Sequence, residues 1–214
     1  MSRALQEAAH PESPAYARTD GQATPEVRRR ERADPRRWRA LAVTQLAAFM
    51  VLLDVLMAAH RVGILHGDVK PANVYLCDDG RVVLIDFGIA CSMLEEASDR
   101  TQMLAGSPLY TAPERLRGGN PEPACDMFSL GATLFTAVEG KPPFSGSSLF
   151  STVIAVVEGE PAPCLHAGPL RAVIEGLLAK NPTDRLTGDQ ARTALVDLQQ
   201  RLRSGNVTEV MHVV

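Results

Sequence analysis

The feature that most constrains this chain is a short polar stretch, HGDVKPAN at residues 66–73, followed by DFG at residues 86–88. Together they supply a carboxylate, an ammonium group, an amide and a second carboxylate, namely Asp68, Lys70, Asn73 and Asp86. Phosphoryl transfer to a hydroxyl uses such groups, because it needs a carboxylate near the nucleophile and oxygen ligands for a divalent cation. A tripeptide such as DFG occurs by chance in many chains, but the order and spacing of the two stretches together constrain both fold and chemistry.

These motifs resemble those of one family. The HGDVKPAN stretch is similar to the catalytic loop H-R-D-x-x-x-x-N of protein kinases, with Gly67 where arginine is usual. DFG matches their metal-binding motif, and APE at residues 112–114 matches the end of their activation segment. The chain therefore resembles the bacterial eukaryotic-like serine/threonine protein kinases over roughly residues 44–204. The resemblance implies a mainly α fold, the α+β C-terminal lobe of a kinase, with a small β-hairpin carrying the catalytic and metal-binding loops.

The resemblance also implies roles for the matched residues. Asp68 is expected to orient the substrate hydroxyl, and Lys70 to place a positive charge near the transferred phosphate of ATP. Asn73 and Asp86 are expected to hold Mg²⁺. Tyr75 stands where kinases commonly use leucine beneath the adenine ring, so its phenol either stacks on adenine or crowds it. The implied cofactors are ATP and Mg²⁺, and the implied partner is a protein substrate.

Five other positions match architectural residues of the family. His66 is expected to pack beneath Phe87 rather than act as an acid or base. Asp126, which begins DMFSLG at residues 126–131, is expected to accept backbone N–H groups of the catalytic loop. Glu114 and Arg185 are expected to form a buried ion pair between the activation segment and a late helix.

The activation segment carries further candidates. Ser107, within GSPLYTAPE at residues 106–114, is expected to bridge the catalytic carboxylate and lysine. Thr101 is the phosphorylation site that position favours, with Ser92, Ser98 or a merely solvated role as alternatives. Gly67 removes the arginine that would grip a phosphorylated loop, which argues against ordering of this segment by phosphate.

Half of a kinase nucleotide site cannot be found in this polypeptide. A kinase N-terminal lobe supplies a glycine-rich loop and a strand lysine. The only lysines here are Lys70, Lys141 and Lys180, and the only glycine before Gly63 is Gly21. We therefore expect weak or no activity from this chain alone, and a partner chain could complete the site. The alternative is a pseudokinase-like binding module that presents a substrate-docking surface.

Composition suggests three segments. Residues 1–39 lack apolar periodicity, so we predict a disordered, arginine-rich segment there. Residues 40–204 are predicted to form the kinase-like lobe, and residues 205–214 a flexible tail. The arginines of residues 28–39 have two interpretations: a patch that binds phospholipid or nucleic acid, or a solvated linker. A net charge of −3 gives no reason to expect nucleic acid as a partner.

The mostly apolar residues 40–59 suit either a membrane span or a buried core helix. Asp54 argues against a span, and Leu46, Met50, Leu53 and Met57 recur at helical spacing, so we predict a core helix. Further on, the pattern predicts a hairpin of residues 74–77 and 82–85, and helices near 126–139, 147–158, 168–180 and 188–203.

The four cysteines are widely spaced, without a C-x-x-C motif. This spacing predicts reduced thiols in a cytoplasmic protein and no metal cluster.

Overall fold

The computed structural model describes residues 35–87 and 108–204, with the backbone alone for 35–45. The fold is mainly α, as predicted, with one two-stranded antiparallel sheet in the described ranges. The helices are α1 (Pro35–Arg61), α2 (Pro113–Leu116), α3 (Pro123–Glu139), α4 (Leu149–Glu158), α5 (Arg171–Leu177) and α6 (Gly188–Ser204). Short 3-10 turns lie at Pro71–Asn73, Pro108–Tyr110 and Gly168–Leu170.

The sheet is the predicted hairpin. Strand β1 (Val74–Leu76) pairs antiparallel with β2 (Val82–Leu84), and Tyr75 lies opposite Val83. One face of β2 packs against α1 through the buried Leu84. The hairpin is therefore fixed to the helical core while its opposite face remains open.

Helix α3 forms the centre of the lobe. Every residue from 125 to 135 is buried, which is typical of a helix that is surrounded by other elements. Helices α1 and α5 both pack against it. The predicted helix at 126–139 is confirmed, with its start moved to Pro123, since proline is favoured at the first helical position.

Helix α1 extends beyond the predicted residues 40–59, beginning at Pro35 and ending at Arg61. Leu46, Phe49, Leu53 and Leu56 are buried in the common core, which agrees with a core helix. Among the helices of the described ranges, none combines the length and apolar character needed to cross a bilayer.

One predicted helix was wrong in extent. Residues 168–180 were expected to form a single helix, but the structure has a 3-10 turn at Gly168–Leu170 and then α5, which stops at Leu177. The amide of Leu178 donates to the carbonyls of both Ile174 and Glu175, a tightening that is common at helix ends. The chain then turns towards Pro182, which cannot continue a helix.

Close contact between α3 and α5 depends on Gly131. A methyl group at this position would lie 2.8 Å from Cβ of Leu177 and 3.2 Å from its carbonyl carbon, and neither atom can rotate away. Overpacking of this kind costs about 1–3 kcal/mol, whereas alanine gains at most about 1 kcal/mol in helix propensity. We expect Gly131→Ala to lower the free energy of unfolding by about 1–2 kcal/mol, measured by urea denaturation.

Gly176 of α5 provides the matched control. A methyl group there would meet the side chain of Leu186, with Cδ1 and Cγ both at 2.7 Å. Because that side chain can change rotamer, Gly176→Ala should cost clearly less than Gly131→Ala. Equal losses at the two positions would contradict the close-packing argument for Gly131.

Candidate functional site

The catalytic loop is anchored by the buried carboxylate of Asp126, in the first turn of α3. The backbone N–H of His66 donates to its Oδ2 at 2.9 Å, and that of Gly67 to its Oδ1 at 2.8 Å. Charge-assisted hydrogen bonds of this kind are stronger than those between neutral groups. The central helix therefore fixes the start of the loop directly.

His60 is part of this anchor, although the sequence gave no reason to single it out. Its Nε2 lies 2.7 Å from Oδ2 of Asp126, and its side chain is only 11% exposed. The two residues are far apart in the chain and meet only because α1 and α3 pack together. A basic side chain in the last turn of a helix is a weak signal, since it has an ordinary role opposite the helix dipole.

His66 is fully buried, and both of its ring nitrogens have hydrogen-bond partners. Nδ1 accepts from the backbone N–H of Asp68 at 3.2 Å, and Nε2 donates to the carbonyl of Ile85 at 3.0 Å. Its ring also lies against Phe87, with centroids 4.5 Å apart. These contacts join the catalytic loop to the segment after β2 and leave no nitrogen free for proton transfer.

Asp68 and Lys70 lie together at the surface of the loop. Nζ of Lys70 donates to Oδ2 of Asp68 at 2.6 Å, and the two side chains are 24% and 15% exposed. The amide nitrogen of Asn73 donates to the carbonyl of Asp68 at 2.8 Å and to its Oδ2 at 3.3 Å. A carboxylate held between a cation and an amide, and still open to solvent, can accept a hydrogen bond from an approaching hydroxyl.

Asn73 and Asp86 come from adjacent segments, since the N–H of Ile85 donates to the carbonyl of Asn73 at 2.9 Å. Because the amide nitrogen of Asn73 is used within the loop, its oxygen is the atom available to a ligand. Asp86 is exposed and has a φ of +66°, an uncommon conformation for a residue other than glycine. Hard oxygen donors from two segments fit Mg²⁺, which usually keeps several water or phosphate ligands as well.

Gly67 has a φ of +75°, which places it in the left-handed region. Glycine adopts this conformation without the steric cost that a side chain with Cβ would impose. The glycine that replaces the usual arginine therefore suits the local backbone. This local reason was not visible from the sequence.

The open face of the hairpin is apolar and lies beside these groups. Tyr75 is 55% exposed opposite Val83, and Ile85 follows on the same face by strand alternation. The structure thus places the Tyr75 ring in the open, next to the chain that carries Asp86.

The candidates Ser107 and Thr101, with the alternatives Ser92 and Ser98, lie outside the described residues. The end of the segment is described, and there Glu114 and Arg185 meet in a two-pronged contact, with N–O distances of 2.6 and 3.0 Å.

Burial opposes ionisation of Glu114, but the hydrogen bonds and charge of Arg185 outweigh it and lower the pKa of this carboxyl. The pair is therefore charged at neutral pH.

The buried cysteines have no features of nucleophiles. Burial raises the pKa of the Cys125 thiol to about 12 and that of Cys164 to about 11, so neither forms a thiolate at neutral pH. Within the described residues, no group of three or more His, Cys, Asp or Glu side chains could hold a metal ion.

Comparison with known proteins identifies the family to which the chain belongs. The family model described as "Protein kinase domain" matches residues 37–196. Serine/threonine-protein kinase PknK of Mycobacterium tuberculosis is 42% identical over 158 residues, which cover 70% of this chain and 14% of PknK.

Serine/threonine-protein kinase PknB of the same species is 35% identical over 183 residues, which cover 80% of this chain and 29% of PknB. A probable serine/threonine-protein kinase of Corynebacterium efficiens is 34% identical over 170 residues, covering 74% of this chain and 26% of that protein. This chain thus spans less than a third of the length of each of these relatives. With a catalytic loop of this geometry and a family match over most of its length, the chain belongs to the protein kinase family, among the serine/threonine protein kinases.

Proposed function

We propose that this chain supplies the catalytic-loop half of a site that transfers the γ-phosphoryl group of ATP to serine or threonine hydroxyls of protein substrates. The observation that carries the proposal is the Asp68 carboxylate, held by Lys70 at 2.6 Å on a loop anchored to the central helix. The three relatives are named as serine/threonine kinases, which supports the same reaction here.

In this proposal Asp68 accepts a hydrogen bond from the substrate hydroxyl and orients it for in-line attack. Lys70, beside it, stabilises the negative charge that develops on the transferred group. The hydrogen bond from Asn73 to the Asp68 carbonyl keeps the loop in shape, so a small displacement of the carboxylate is resisted.

Asn73 and Asp86 are the residues that would hold Mg²⁺, and the bound ion supplies charge neutralisation on the ATP phosphates. Tyr75 and its neighbours on the open hairpin face are the surface on which adenine would rest. The aromatic ring at this position gives a flat contact, where kinases commonly use leucine.

The chain needs a second half for this site. It has no lysine before Lys70 and no glycine-rich loop before the catalytic loop. The apolar side chains of Tyr75, Val83 and Ile85 are exposed on the open face of the hairpin, as expected of a surface that another segment covers. We propose that this segment comes from a longer polypeptide or from a partner chain, and that the kinase works in the cytoplasm, where ATP is available.

On its own, the chain is expected to bind Mg·ATP weakly or not at all, because the glycine-rich loop and the strand lysine make much of the phosphate contact. Isothermal titration calorimetry with Mg·ATP should give no micromolar binding. Micromolar affinity would contradict the proposal and would indicate a substitute cover for the nucleotide.

The second candidate function is a binding module without catalysis, favoured by the exposed apolar side chains of α4, Leu149, Phe150 and Ile154. The DNA sequence upstream of this reading frame distinguishes the kinase from the binding module. A reading frame for a glycine-rich loop and lysine in the DNA just upstream would favour the enzyme, whereas its absence would favour the module.

A further inference from the structure

His60 and the start of the catalytic loop meet at one oxygen atom of Asp126. Nε2 of His60 lies 2.7 Å from Oδ2 of this carboxylate, and the backbone N–H of His66 donates to the same Oδ2 at 2.9 Å. In the chain, the two contacts are separated only by residues 61–65. One buried carboxylate therefore holds both ends of the connection from α1 to the catalytic loop.

The connection itself is tied to α1 by its backbone. The N–H groups of Val62 and Ile64 donate to the carbonyl of Ala59, and that of Gly63 donates to the carbonyl of His60, at 3.0–3.1 Å. The side chains of Val62 and Ile64 are 71% and 42% exposed. These bonds place the connection on α1, whereas the link to α3 is made at its two ends, on Asp126.

The hydrogen bonds around Asp126 indicate which nitrogen of His60 carries a proton. The two carboxylate oxygens already accept the backbone N–H groups of His66 and Gly67. Since an ionised carboxylate can only accept, Nε2 of His60 must donate to it. The Asp126 side chain is only 2% exposed, so water is poorly placed to replace this donor if it is removed.

The backbone on both sides of Asp68 is tied to α3. Asp68 directly follows the two residues held by Asp126, and its own N–H donates to Nδ1 of His66 at 3.2 Å. The carbonyl of the next residue, Val69, accepts from Oγ1 of Thr133 on α3 at 3.4 Å. Loosening the first of these ties would displace the Asp68 carboxylate, and a displacement of about 1 Å can cost about 10²-fold in rate.

We propose that His60 is a positioning residue for phosphoryl transfer, because its Nε2–H donates to Asp126 and so fixes the loop that carries Asp68. The catalytic consequence rests on the function proposed above. The order of the loop is a property of the chain alone and can be measured without nucleotide.

The protonation of the His60 ring tests the proposal in the unmodified chain. Nitrogen-15 NMR distinguishes an imidazole with a proton on Nε2 from one with a proton on Nδ1 alone. We expect a proton on Nε2 that exchanges slowly with water, because it lies between the ring and a buried carboxylate. A ring with its proton on Nδ1 alone would have no donor for Asp126 and would overturn the proposal.

Two substitutions separate the hydrogen bond from the packing of the ring. His60→Leu keeps an apolar side chain of similar size without a donor, whereas His60→Gln retains an N–H donor. In hydrogen exchange of the full chain, followed by NMR, His60→Leu should lower the protection of the His66 and Gly67 amides about tenfold to hundredfold, as expected for loss of a hydrogen bond to a charged group. His60→Gln should recover most of this protection. If glutamine lost as much as leucine, the hydrogen bond would not be what holds the loop, and the proposal would be wrong.

Arg61→Gln is the matched control. Arg61 is the other basic residue in the last turn of α1, and it is exposed. If His60 acted only on the helix dipole, Arg61→Gln would have a similar effect, but we expect it to leave the His66 and Gly67 amides as in wild type. In His60→Leu these two amides should lose clearly more protection than those of α3. Equal losses in the loop and in α3 would indicate a general loss of stability and would contradict the proposal.

The catalytic consequence is measured in a form completed with the N-terminal lobe of an active serine/threonine protein kinase. There His60→Leu should lower kcat by up to about 10²-fold and leave the KM for Mg·ATP unchanged, with His60→Gln close to wild type. An unchanged kcat in His60→Leu would show that His60 does not position Asp68. If Asp68→Asn itself left transfer intact, the proposed function would fail, whereas the exchange results would still decide whether His60 orders the loop.

Discussion

Replacing Glu114 or Arg185 with alanine is expected to lower the free energy of unfolding by about 3–5 kcal/mol, because each change leaves its partner's charge in a largely buried site. The side chain of Arg185 is 0% exposed and that of Glu114 is 20% exposed. Loss of 3–5 kcal/mol is a large fraction of the roughly 5–15 kcal/mol that stabilises a typical domain. Urea denaturation followed by circular dichroism should show both losses as a lower midpoint.

The geometry around Arg185 explains the size of this effect. Its guanidinium group donates to both oxygens of Glu114 and to the carbonyls of Ala124, Ala179 and Lys180. All five N–H donors are therefore satisfied. The guanidinium also lies 5.0 Å from the centroid of the Phe128 ring. Without Glu114 the charge would keep only neutral partners.

A double-mutant cycle separates this pair from a general loss of packing. Since the double variant leaves no unpaired charge, it should lose much less than the sum of the two single variants. The exposed pair Arg192–Asp54, at 2.9 Å, is the control, and Arg192→Ala should cost no more than about 1 kcal/mol. Small and additive losses at positions 114 and 185 would show that the ion pair is not a stabilising contact.

The pair should also give a pH signature. The folded-state pKa of Glu114 is lowered, so its contribution is present near neutral pH and is lost as pH falls through that lowered value. Glu114→Gln should therefore flatten the acid limb of the stability profile.

Local sequence signals were sufficient for most of the fold. The Asp79–Gly80 pair, typical of a hairpin turn, and its flanking β-branched residues predicted the hairpin, and the apolar residues of 126–139 predicted the central helix. The start of α1 at Pro35 was missed because arginines were read as linker, although arginine is a good helix former. The early end of α5 was missed because the competition between two hydrogen-bond acceptors at Leu178 leaves no sequence pattern.

The site was predictable where it depends on spacing and not where it depends on packing. Asp68, Asn73 and Asp86 belong to motifs whose order is visible in the chain. By contrast, His60 reaches Asp126 only after two helices pack. It belongs to no local motif, so sequence alone could not connect it to its partner.

The other large effect concerns Asp68. In a form completed with a glycine-rich lobe, for example a chimaera with the N-terminal lobe of an active serine/threonine protein kinase, Asp68→Asn is expected to reduce phosphoryl transfer by about 10²–10⁴-fold. The substitution keeps the side-chain volume but replaces the carboxylate oxygen that would orient the hydroxyl. It also weakens the contact with Lys70, which now lies 2.6 Å from that oxygen.

The measurement is incorporation of labelled phosphate into a serine substrate, with the urea midpoint as a check on folding. Because Asp68 is at the surface of an anchored loop, its substitution should change the urea midpoint little, whereas phosphoryl transfer collapses.

Asp86→Asn should differ by raising the Mg²⁺ concentration needed for half-maximal rate, since that carboxylate is the proposed metal ligand. Asp79→Asn, in the exposed hairpin turn where Asp79 pairs with Arg81, controls for the loss of a surface carboxylate and should leave the rate unchanged. Undiminished turnover in Asp68→Asn would show that Asp68 does not orient the substrate hydroxyl, and another residue would have to bind that hydroxyl.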